Sequence, residues 1–225
     1  MFLSKRLATI QEMCPKGVVA DIGADHGKLI ISLVKNNIAS HGFAVENKKG
    51  PYERLVAAIE ESGFKDKITP IFGDGIEKIP DSVDTLVLAG MGGLNIVSIL
   101  SKHRNKLGKI ETIIVDAHNA IPQMREAISK LGFSIADEKI VFEDDIYYEI
   151  IKFIKSDHAF YSDIDLEFGP ILRTQKSSMF KAKYINRINE IDNLITSKTL
   201  PESRIKELLH EKDKIGKILW IQENF

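Results

Sequence analysis

The sequence predicts an α/β protein: a mostly parallel β-sheet covered by helices, followed by a small C-terminal α-helical domain. Over the first two thirds of the chain, short apolar runs alternate with helical patterns. The runs begin roughly 16–28 residues apart, about the length that one strand–helix–strand unit needs. Because the runs are apolar on both faces, we expect parallel strands buried between two layers of helices.

Five of these runs are predicted to be parallel strands, at 18–22, 42–46, 68–72, 84–89 and 112–116. Two further extended runs lie at 134–141 and 147–154, and the five residues between them are too few for a crossover helix. These two runs therefore have to pair antiparallel. Five parallel strands that end in an antiparallel hairpin describe a Rossmann-like sheet with a reversed last strand.

The pattern changes near residue 156, where we place the boundary between a sheet domain, 1–155, and a helical domain, 156–225. Between 173 and 198 apolar residues recur every three or four positions, which predicts a helix. Thr199-Leu200-Pro201 breaks it, with Pro201 in the first turn of a second helix. Two such helices form an antiparallel helical hairpin.

Composition excludes several classes of protein. The 225 residues include 31 lysines and arginines against 32 aspartates and glutamates, so a wholly basic nucleic-acid coat protein is excluded. Cys14 is the only cysteine, which excludes an intramolecular disulfide framework and a cysteine-based zinc site. We find neither an apolar run of the ~20 residues that a membrane span needs nor the apolar segment of a signal peptide. The sequence therefore predicts a soluble cytoplasmic protein without a membrane or metal partner.

Glycines and acids follow four successive strands of the predicted sheet. The motifs are Asp21-Ile22-Gly23-Ala24-Asp25-His26-Gly27, Glu46, Gly73-Asp74-Gly75 and Ala89-Gly90-Met91-Gly92-Gly93. The carboxyl ends of parallel strands share one edge of the sheet, and open α/β sheets bind ligands at that edge. We therefore expect the four motifs to form a single site.

The motifs suit the parts of a nucleoside cofactor. Glycines allow a tight turn and a close approach of backbone to ligand, and the carboxylate of Glu46 presents two acceptors to the hydroxyls of a ribose. Asp74 is suited to accept a hydrogen bond from the adenine amine. Simpler interpretations stay open, with Asp25 as a helix cap and Asp74-Gly75 as a surface turn. The candidate cofactor-binding residues are Asp21, Gly23, Ala24, Asp25, Gly27, Glu46, Asn47, Gly73, Asp74, Gly75, Ala89 and Gly90.

Together these motifs resemble the TrmK family, bacterial S-adenosylmethionine-dependent methyltransferases that act on N1 of adenine 22 in tRNA. Lys49-Gly50-Pro51 and Tyr147-Tyr148-Glu149-Ile150-Ile151 strengthen the resemblance, which runs from about Ser4 to the C-terminus. It implies a class I methyltransferase sheet, S-adenosyl-L-methionine as cofactor and tRNA as partner. The sequence departs from the family at Asp116-Ala117, where many members have Gln-Pro, so no role is transferred to the loop that follows.

The resemblance implies an in-line displacement in which the adenine N1 lone pair attacks the sulfonium methyl. Since N1 carries no proton in neutral adenine, no general base is needed. The product ring is cationic, so a nearby carboxylate or oriented carbonyls would stabilise the developing charge. Asp25 is our first candidate for that role, although binding the ammonium of the cofactor suits it equally.

Four more residues are catalytic candidates. His26 either orients the loop or touches substrate, and Gly90 and Met91 are expected to form the lip of the target-base pocket. A paired or stacked adenine has to be swung out before N1 can react, and Tyr147 is expected to receive it. Tyr147 and Tyr148 point to opposite faces of a strand, so only one of them lines the pocket.

A basic stretch in the helical domain is the candidate RNA-binding surface. Residues 156–225 hold 11 basic and 11 acidic side chains, yet no acid lies between Phe168 and Asn189. Five cations on one predicted helix are suited to bind phosphates, although a solvated helical face is the simpler interpretation. The candidates, extended by two N-terminal residues, are Arg173, Lys176, Lys181, Lys183, Arg187, Lys5 and Arg6.

Two other functions stay open. One is a small-molecule methyltransferase, and the other is a tRNA-binding protein in which methylation is weak or dispensable. The sequence does not determine the oligomeric state, and we favour a monomer.

Overall fold

The computed structural model describes residues 3–156, 160–197 and 200–220, and over these ranges it confirms the predicted fold class. The strands are β1 (Gly17–Ile22), β2 (Ala39–Glu46), β3 (Ile68–Phe72), β4 (Thr85–Met91), β5 (Thr112–Ala117), β6 (Phe133–Glu143) and β7 (Ile146–Lys155). The helices are α1 (Lys5–Met13), α2 (Lys28–Lys35), α3 (Lys49–Ser62), α4 (Gly93–Lys102), α5 (Ile121–Lys130), α6 (Asp163–Phe168), α7 (Pro170–Gln175), α8 (Ser178–Ser197) and α9 (Glu202–Trp220), with a short 3-10 helix at Arg104–Lys109.

The strands form one sheet in the order β3-β2-β1-β4-β5-β7-β6. β1 to β5 run parallel, and β7 runs antiparallel to both β5 and β6. The strand order reverses between β1 and β4, which is the kind of switch point where open α/β sheets bind ligands. At the end of β4 the register with β5 shifts between Ala89 and Met91, so Gly90 forms a bulge at the edge where the motifs lie.

Apolar side chains cover both faces of the sheet, as the sequence predicts. Val87 and Leu88 are adjacent in β4, and both are fully buried. Because neighbouring strand residues point to opposite faces, Leu88 belongs to the core beneath α4 and α5, whereas Val87 belongs to the core beneath α1, α2 and α3. The two cores hold the carboxyl ends of β1 to β5 in place.

The tip of the β6–β7 hairpin contacts the N-terminus of α1. Asp144 and Asp145 have positive φ angles of 51° and 60°, as in the type I′ turn favoured between two strands. Glu143 Oε1 accepts a hydrogen bond of 2.7 Å from the backbone N–H of Lys5. The sequence analysis did not predict α1, although Ser4 is a standard N-cap residue and caps it here.

The chain divides into two compact units, Met1–Pro170 and Ile171–Phe225. This division falls later than the boundary placed at 155/156, because α6 belongs to the first unit. Arg125 Nη1 donates to the carbonyl of Leu166 at 2.9 Å, and the Tyr161 hydroxyl accepts from the backbone N–H of Ile135 at 2.7 Å. The signal for α6 is a capping box at Ser162 and Asp165, which the period analysis missed.

The second unit contains the predicted helical hairpin, α8 and α9. Arg187 Nε donates to Glu211 Oε1 at 2.7 Å across the two helices, and Lys212 Nζ donates to Asp192 Oδ1 at 2.5 Å. The expectation of one helix from 173 is wrong, since Lys176, with a φ of 44°, separates α7 from α8. Lys198 and Thr199, at the predicted break, lie outside the described residues.

Candidate active site

Two cavities lie side by side at the carboxyl edge of the sheet, and Gly23 lines both. The first, of about 350 Å³, is bounded by α1, the loop after β1, the end of β4 and the β6–β7 hairpin. The second, of about 220 Å³, is bounded by the residues that follow β2, β3 and β4. The structure thus brings the four predicted motifs together at one edge.

The loop after β1 forms the floor between the cavities. Gly23 and Gly27 have φ angles of 78° and 65°, in the left-handed region that favours glycine. Gly27 is the N-cap of α2, and a Cβ there would lie 2.7 Å from Leu55 Cδ1. Asp25 therefore does not cap this helix, which rules out the simpler interpretation of that residue.

Three acids of this edge differ sharply in exposure. The Asp25 side chain is 57% exposed and lies 3.5 Å from His26 Nε2 and 3.7 Å from Arg54 Nη2. Asp21 also lines the first cavity but is 6% exposed, and burial raises its pKa from 3.8 to about 7. Burial likewise raises the pKa of Asp116, and the nearby Arg6 guanidinium opposes that shift.

The second cavity is closed by contacts between the ends of β2 and β3. Glu46 Oε1 accepts hydrogen bonds from the backbone N–H groups of Asn47 and Lys48, both 3.0 Å long, which fixes its carboxylate. Asn47 Nδ2 donates to Asp74 Oδ1 at 3.2 Å. Gly75 has a φ of 60°, and a Cβ there would lie 2.9 Å from the Ile99 side chain. The Gly-Asp-Gly turn is therefore built into the cavity wall.

Two glycines of the strand-4 motif are needed for different structural reasons. Gly90 has a φ of 76°, and a Cβ there would lie 3.4 Å from Arg6 Nη1. Gly93 packs against the loop after β5, where a Cβ would lie 2.5 Å from the carbonyl oxygen of Asn119. The Gly93 N–H also donates to Asn119 Oδ1 at 3.2 Å, so this side chain, to which the sequence assigned no role, supports the strand-4 motif.

Met91 lies beside Gly23, the residue that both cavities share. Its Cε would lie 3.2 Å from a Cβ placed on Gly23, and it lines the second cavity with Asn95. His26 and Asp25 line the first cavity instead. Of the predicted catalytic residues, Asp25 and His26 therefore face the first cavity, and Met91 faces the second.

Arg6 lines the first cavity, on the same wall as Tyr148, and its predicted contact with RNA stays a prediction. Its Nη1 atom donates to Asp116 Oδ2 at 2.5 Å, and its Cζ atom lies 5.1 Å from the centre of the Tyr148 ring. The sequence signal for this contact was Asp116 itself, an acid near the end of a strand like Asp21 and Glu46.

Tyr148, and not Tyr147, lines the first cavity. The Tyr147 ring lies 4.6 Å from that of Phe142, its cross-strand partner. Tyr148 faces the other way, 6.2 Å from the His118 ring. Tyr148 therefore replaces Tyr147 as the aromatic candidate. The alternation of side chains along the strand had left the choice between them open.

The basic candidates of the second unit lie on α7, on α8 and between them, not on one helix. Arg187 is paired with both Glu190 and Glu211, so the expectation that it lacks a counter-charge is wrong. These carboxylates raise the pKa of Arg187. Lys176 Nζ is buried, which removes it from an exposed surface. Lys181 and Lys183 lie in the first turns of α8.

Comparison with known proteins decides the family. A family model described as TrmK, tRNA (adenine(22)-N(1))-methyltransferase, matches residues 19–219. The chain belongs to the TrmK family. A TrmK-family relative, the tRNA (adenine(22)-N(1))-methyltransferase of Bacillus subtilis (strain 168), is 34% identical over 199 residues, which cover 85% of this chain and 84% of the relative.

Two solved structures extend the TrmK comparison. Sp1610 of Streptococcus pneumoniae, in complex with S-adenosyl-L-methionine, is 27% identical with a TM-score of 0.88, covering 97% of this chain and 100% of that one. TrmK of M. capricolum, in complex with S-adenosyl-homocysteine, is 25% identical with a TM-score of 0.84, covering 96% and 97%. The predicted family and fold class are confirmed.

In the ranges 3–156, 160–197 and 200–220, no helix is long and apolar enough to cross a bilayer. Among the same residues, no three histidine, cysteine, aspartate or glutamate side chains are grouped so that they could hold a metal ion.

Proposed function

We propose that this TrmK-family chain transfers a methyl group from S-adenosyl-L-methionine to N1 of adenine 22 in tRNA. The family description names this reaction, and two solved relatives were captured with the cofactor or its product. The observation in this chain that carries the proposal is the pair of adjacent cavities that share Gly23. One cavity suits the nucleoside of the cofactor, and the other suits its amino-acid portion and the target base.

The residues present fit the cofactor. The carboxylate of Glu46, fixed at the end of β2, and the Asn47–Asp74 contact in the wall of the second cavity offer acceptors for ribose and adenine. Asp21 and Asp25 line the first cavity and suit the positively charged end of the cofactor. When bound, S-adenosyl-L-methionine supplies an electrophilic methyl group on a cationic sulfur and leaves as a neutral thioether.

The chain contributes orientation and electrostatics to the reaction. N1 of neutral adenine has a free lone pair, so the protein has no proton to remove, and holding the base in line with the methyl group supplies much of the rate. Tyr148 and Ala89, which precedes the Gly90 bulge, line the cavity in which the swung-out base is held. As positive charge moves onto the base, the carboxylate of Asp25, which lines the same cavity, stabilises it.

The second unit is proposed to contact the phosphates of the tRNA. Lys181 and Lys183 lie on α8 and Arg173 on α7, and we retain these three candidates with Lys5 of the first unit. Lys176 and Arg187 are omitted, because one has a buried ammonium and the other is committed to Glu211.

The test is methyl transfer from labelled S-adenosyl-L-methionine to an unmodified tRNA transcript that carries adenine 22. A matched transcript with guanine 22 is the control. The proposal predicts transfer to the first and not to the second. Equal transfer to both would contradict the assigned position. Transfer to neither, despite measurable cofactor binding, would favour a small-molecule methyltransferase or an RNA-handling protein.

A further inference from the structure

An ion pair between residues 110 positions apart joins α1 to the end of β5. Asp116 is completely buried, and the Arg6 side chain is 22% exposed. Arg6 and Tyr148 line the first cavity, so the visible part of the guanidinium faces the proposed reaction space. The other carboxylate oxygen, Asp116 Oδ1, is buried and has no hydrogen-bond partner among the residues that the structure describes.

Stability alone does not account for this pair. A buried charge pair loses hydration on both partners, and well-packed apolar residues often do as well or better. The surroundings accommodate a guanidinium: the Tyr148 ring centre lies 5.1 Å from Arg6 Cζ, and a Cβ on Gly90 would lie only 3.4 Å from Arg6 Nη1. The position is therefore shaped to hold a cation.

A cation is a poor neighbour for the proposed chemistry. The cofactor brings a positively charged sulfur, and the methylated adenine is also positively charged. An unpaired guanidinium in the same cavity would repel both, and the repulsion would be strong because the site is only partly hydrated. The carboxylate of Asp116, 2.5 Å from Arg6 Nη1, neutralises the charge of the guanidinium.

We infer that Asp116 is a positioning residue: it neutralises Arg6 and holds it against Tyr148, so that Arg6 offers N–H donors to the RNA without repelling a cationic cofactor. The inference rests on the proposed function. The methyl donor and its product differ by one positive charge. Asp116 therefore sets the affinity of the site for S-adenosyl-L-methionine relative to that for neutral S-adenosyl-homocysteine.

The test compares the dissociation constants of these two ligands by isothermal titration calorimetry at about pH 8. In Asp116→Asn the preference for S-adenosyl-L-methionine over S-adenosyl-homocysteine is expected to fall by about three- to tenfold, since Arg6 keeps an uncompensated charge. Arg6→Gln is expected to shift the preference in the opposite direction. The double variant should return close to the wild-type ratio. Asp145→Asn, on the hairpin turn, is the control that leaves the ratio unchanged.

The possible outcomes distinguish failure of the inference on Asp116 from failure of the proposed function. If the wild type binds both ligands and Asp116→Asn leaves their ratio unchanged, the inference is wrong and the proposed function stands. A merely structural role would weaken both ligands equally and lower the melting temperature, which also contradicts the inference. If Asp116→Asn does not fold, Arg6→Gln decides, and an unchanged ratio there overturns the inference. Failure of the wild type to bind either ligand would instead contradict the proposed function.

Discussion

Asn47 donates a hydrogen bond of 3.2 Å to Asp74, and this contact ties the end of β2 to the turn after β3. Both residues line the second cavity, and Asp74 also lies 3.8 Å from Lys102 Nζ. The bond places an acceptor carboxylate where the adenine of the cofactor is proposed to bind. It also makes the adenine end of the site testable apart from the methyl-transfer end.

Asp74→Ala is expected to weaken cofactor binding by on the order of tenfold, since one hydrogen bond to a charged acceptor is lost. The melting temperature should change little, because the Asp74 side chain is 63% exposed. Asp81→Ala is the matched control, as its side chain is 79% exposed and pairs with Lys106 outside the cavity. Calorimetric titration of the cofactor checks both, and equal affinities would contradict the assignment.

Gly90→Ala is expected to reduce methyl transfer by at least about tenfold. The left-handed backbone costs about 1 kcal/mol with a Cβ, and that Cβ would lie 3.4 Å from Arg6 Nη1, where it limits the positions open to the guanidinium. Gly132→Ala shares the backbone cost, with a φ of 92°, but its Cβ has nothing within 4 Å. The two variants should lose similar unfolding free energy in denaturant titrations, while only Gly90→Ala loses activity. Parallel loss of activity in both would show that strain alone is responsible.

Tyr148→Ala is expected to slow transfer to tRNA while leaving cofactor affinity within about twofold. Stacking of a base on an aromatic ring contributes about 1–3 kcal/mol, so the loss should exceed about fivefold. Tyr147→Ala is the control, because Tyr147 packs on Phe142 outside the cavity. Single-turnover rates measure the difference, and a larger effect at Tyr147 would reverse the assignment.

Asp21→Asn is expected to stabilise the protein at about pH 8 while weakening cofactor binding. The pKa of Asp21 is raised to about 7 by burial, so the folded state holds a proton that the unfolded state releases near pH 4. Stability from this group is therefore present below about pH 4 and is lost as the pH rises through 7. Chemical denaturation of the wild type and of Asp21→Asn should show a difference in unfolding free energy at pH 8 and none at pH 4. A gap of the same size at both values would contradict the account.

Lys181→Glu combined with Lys183→Glu is expected to weaken tRNA binding and spare cofactor binding. Each phosphate contact contributes to the salt dependence of binding, so the slope of log K against log salt should fall by about one to two. Lys130→Glu is a control on α5 of the first unit, where the side chain is 72% exposed. Unchanged tRNA affinity in the double variant would remove the basic patch from the account.

The sheet and its functional edge follow from local sequence, whereas the walls of the site do not. Apolar runs mark β1 to β5, and each motif sits where its strand ends, so the position of Glu46 and Asp74 needs only the strand order. The Arg6–Asp116 contact joins α1 to β5 across 110 residues, and local patterns carry no information on such a pair. The Tyr147/Tyr148 choice depends on which face of β7 meets the cavity.

The helical unit shows the same limit. The apolar period predicts α8 and α9, but the charge run was counted along the chain, and Glu211 lies on the facing helix. Only the packing of α8 against α9 brings Arg187 Nε within 2.7 Å of Glu211 Oε1. The break at Lys176 does have a local signal, because Ser177 Oγ accepts a hydrogen bond of 3.2 Å from the backbone N–H of Phe180, as an N-cap residue does.

The central claim is methylation at N1 of adenine 22, and nucleoside analysis of the product tests it most directly. Labelled transcript carrying adenine 22 is methylated, digested at neutral pH and separated by liquid chromatography with mass detection. The account predicts 1-methyladenosine, located at position 22 in the digested fragments. N6-methyladenosine, or label at another position, would contradict it.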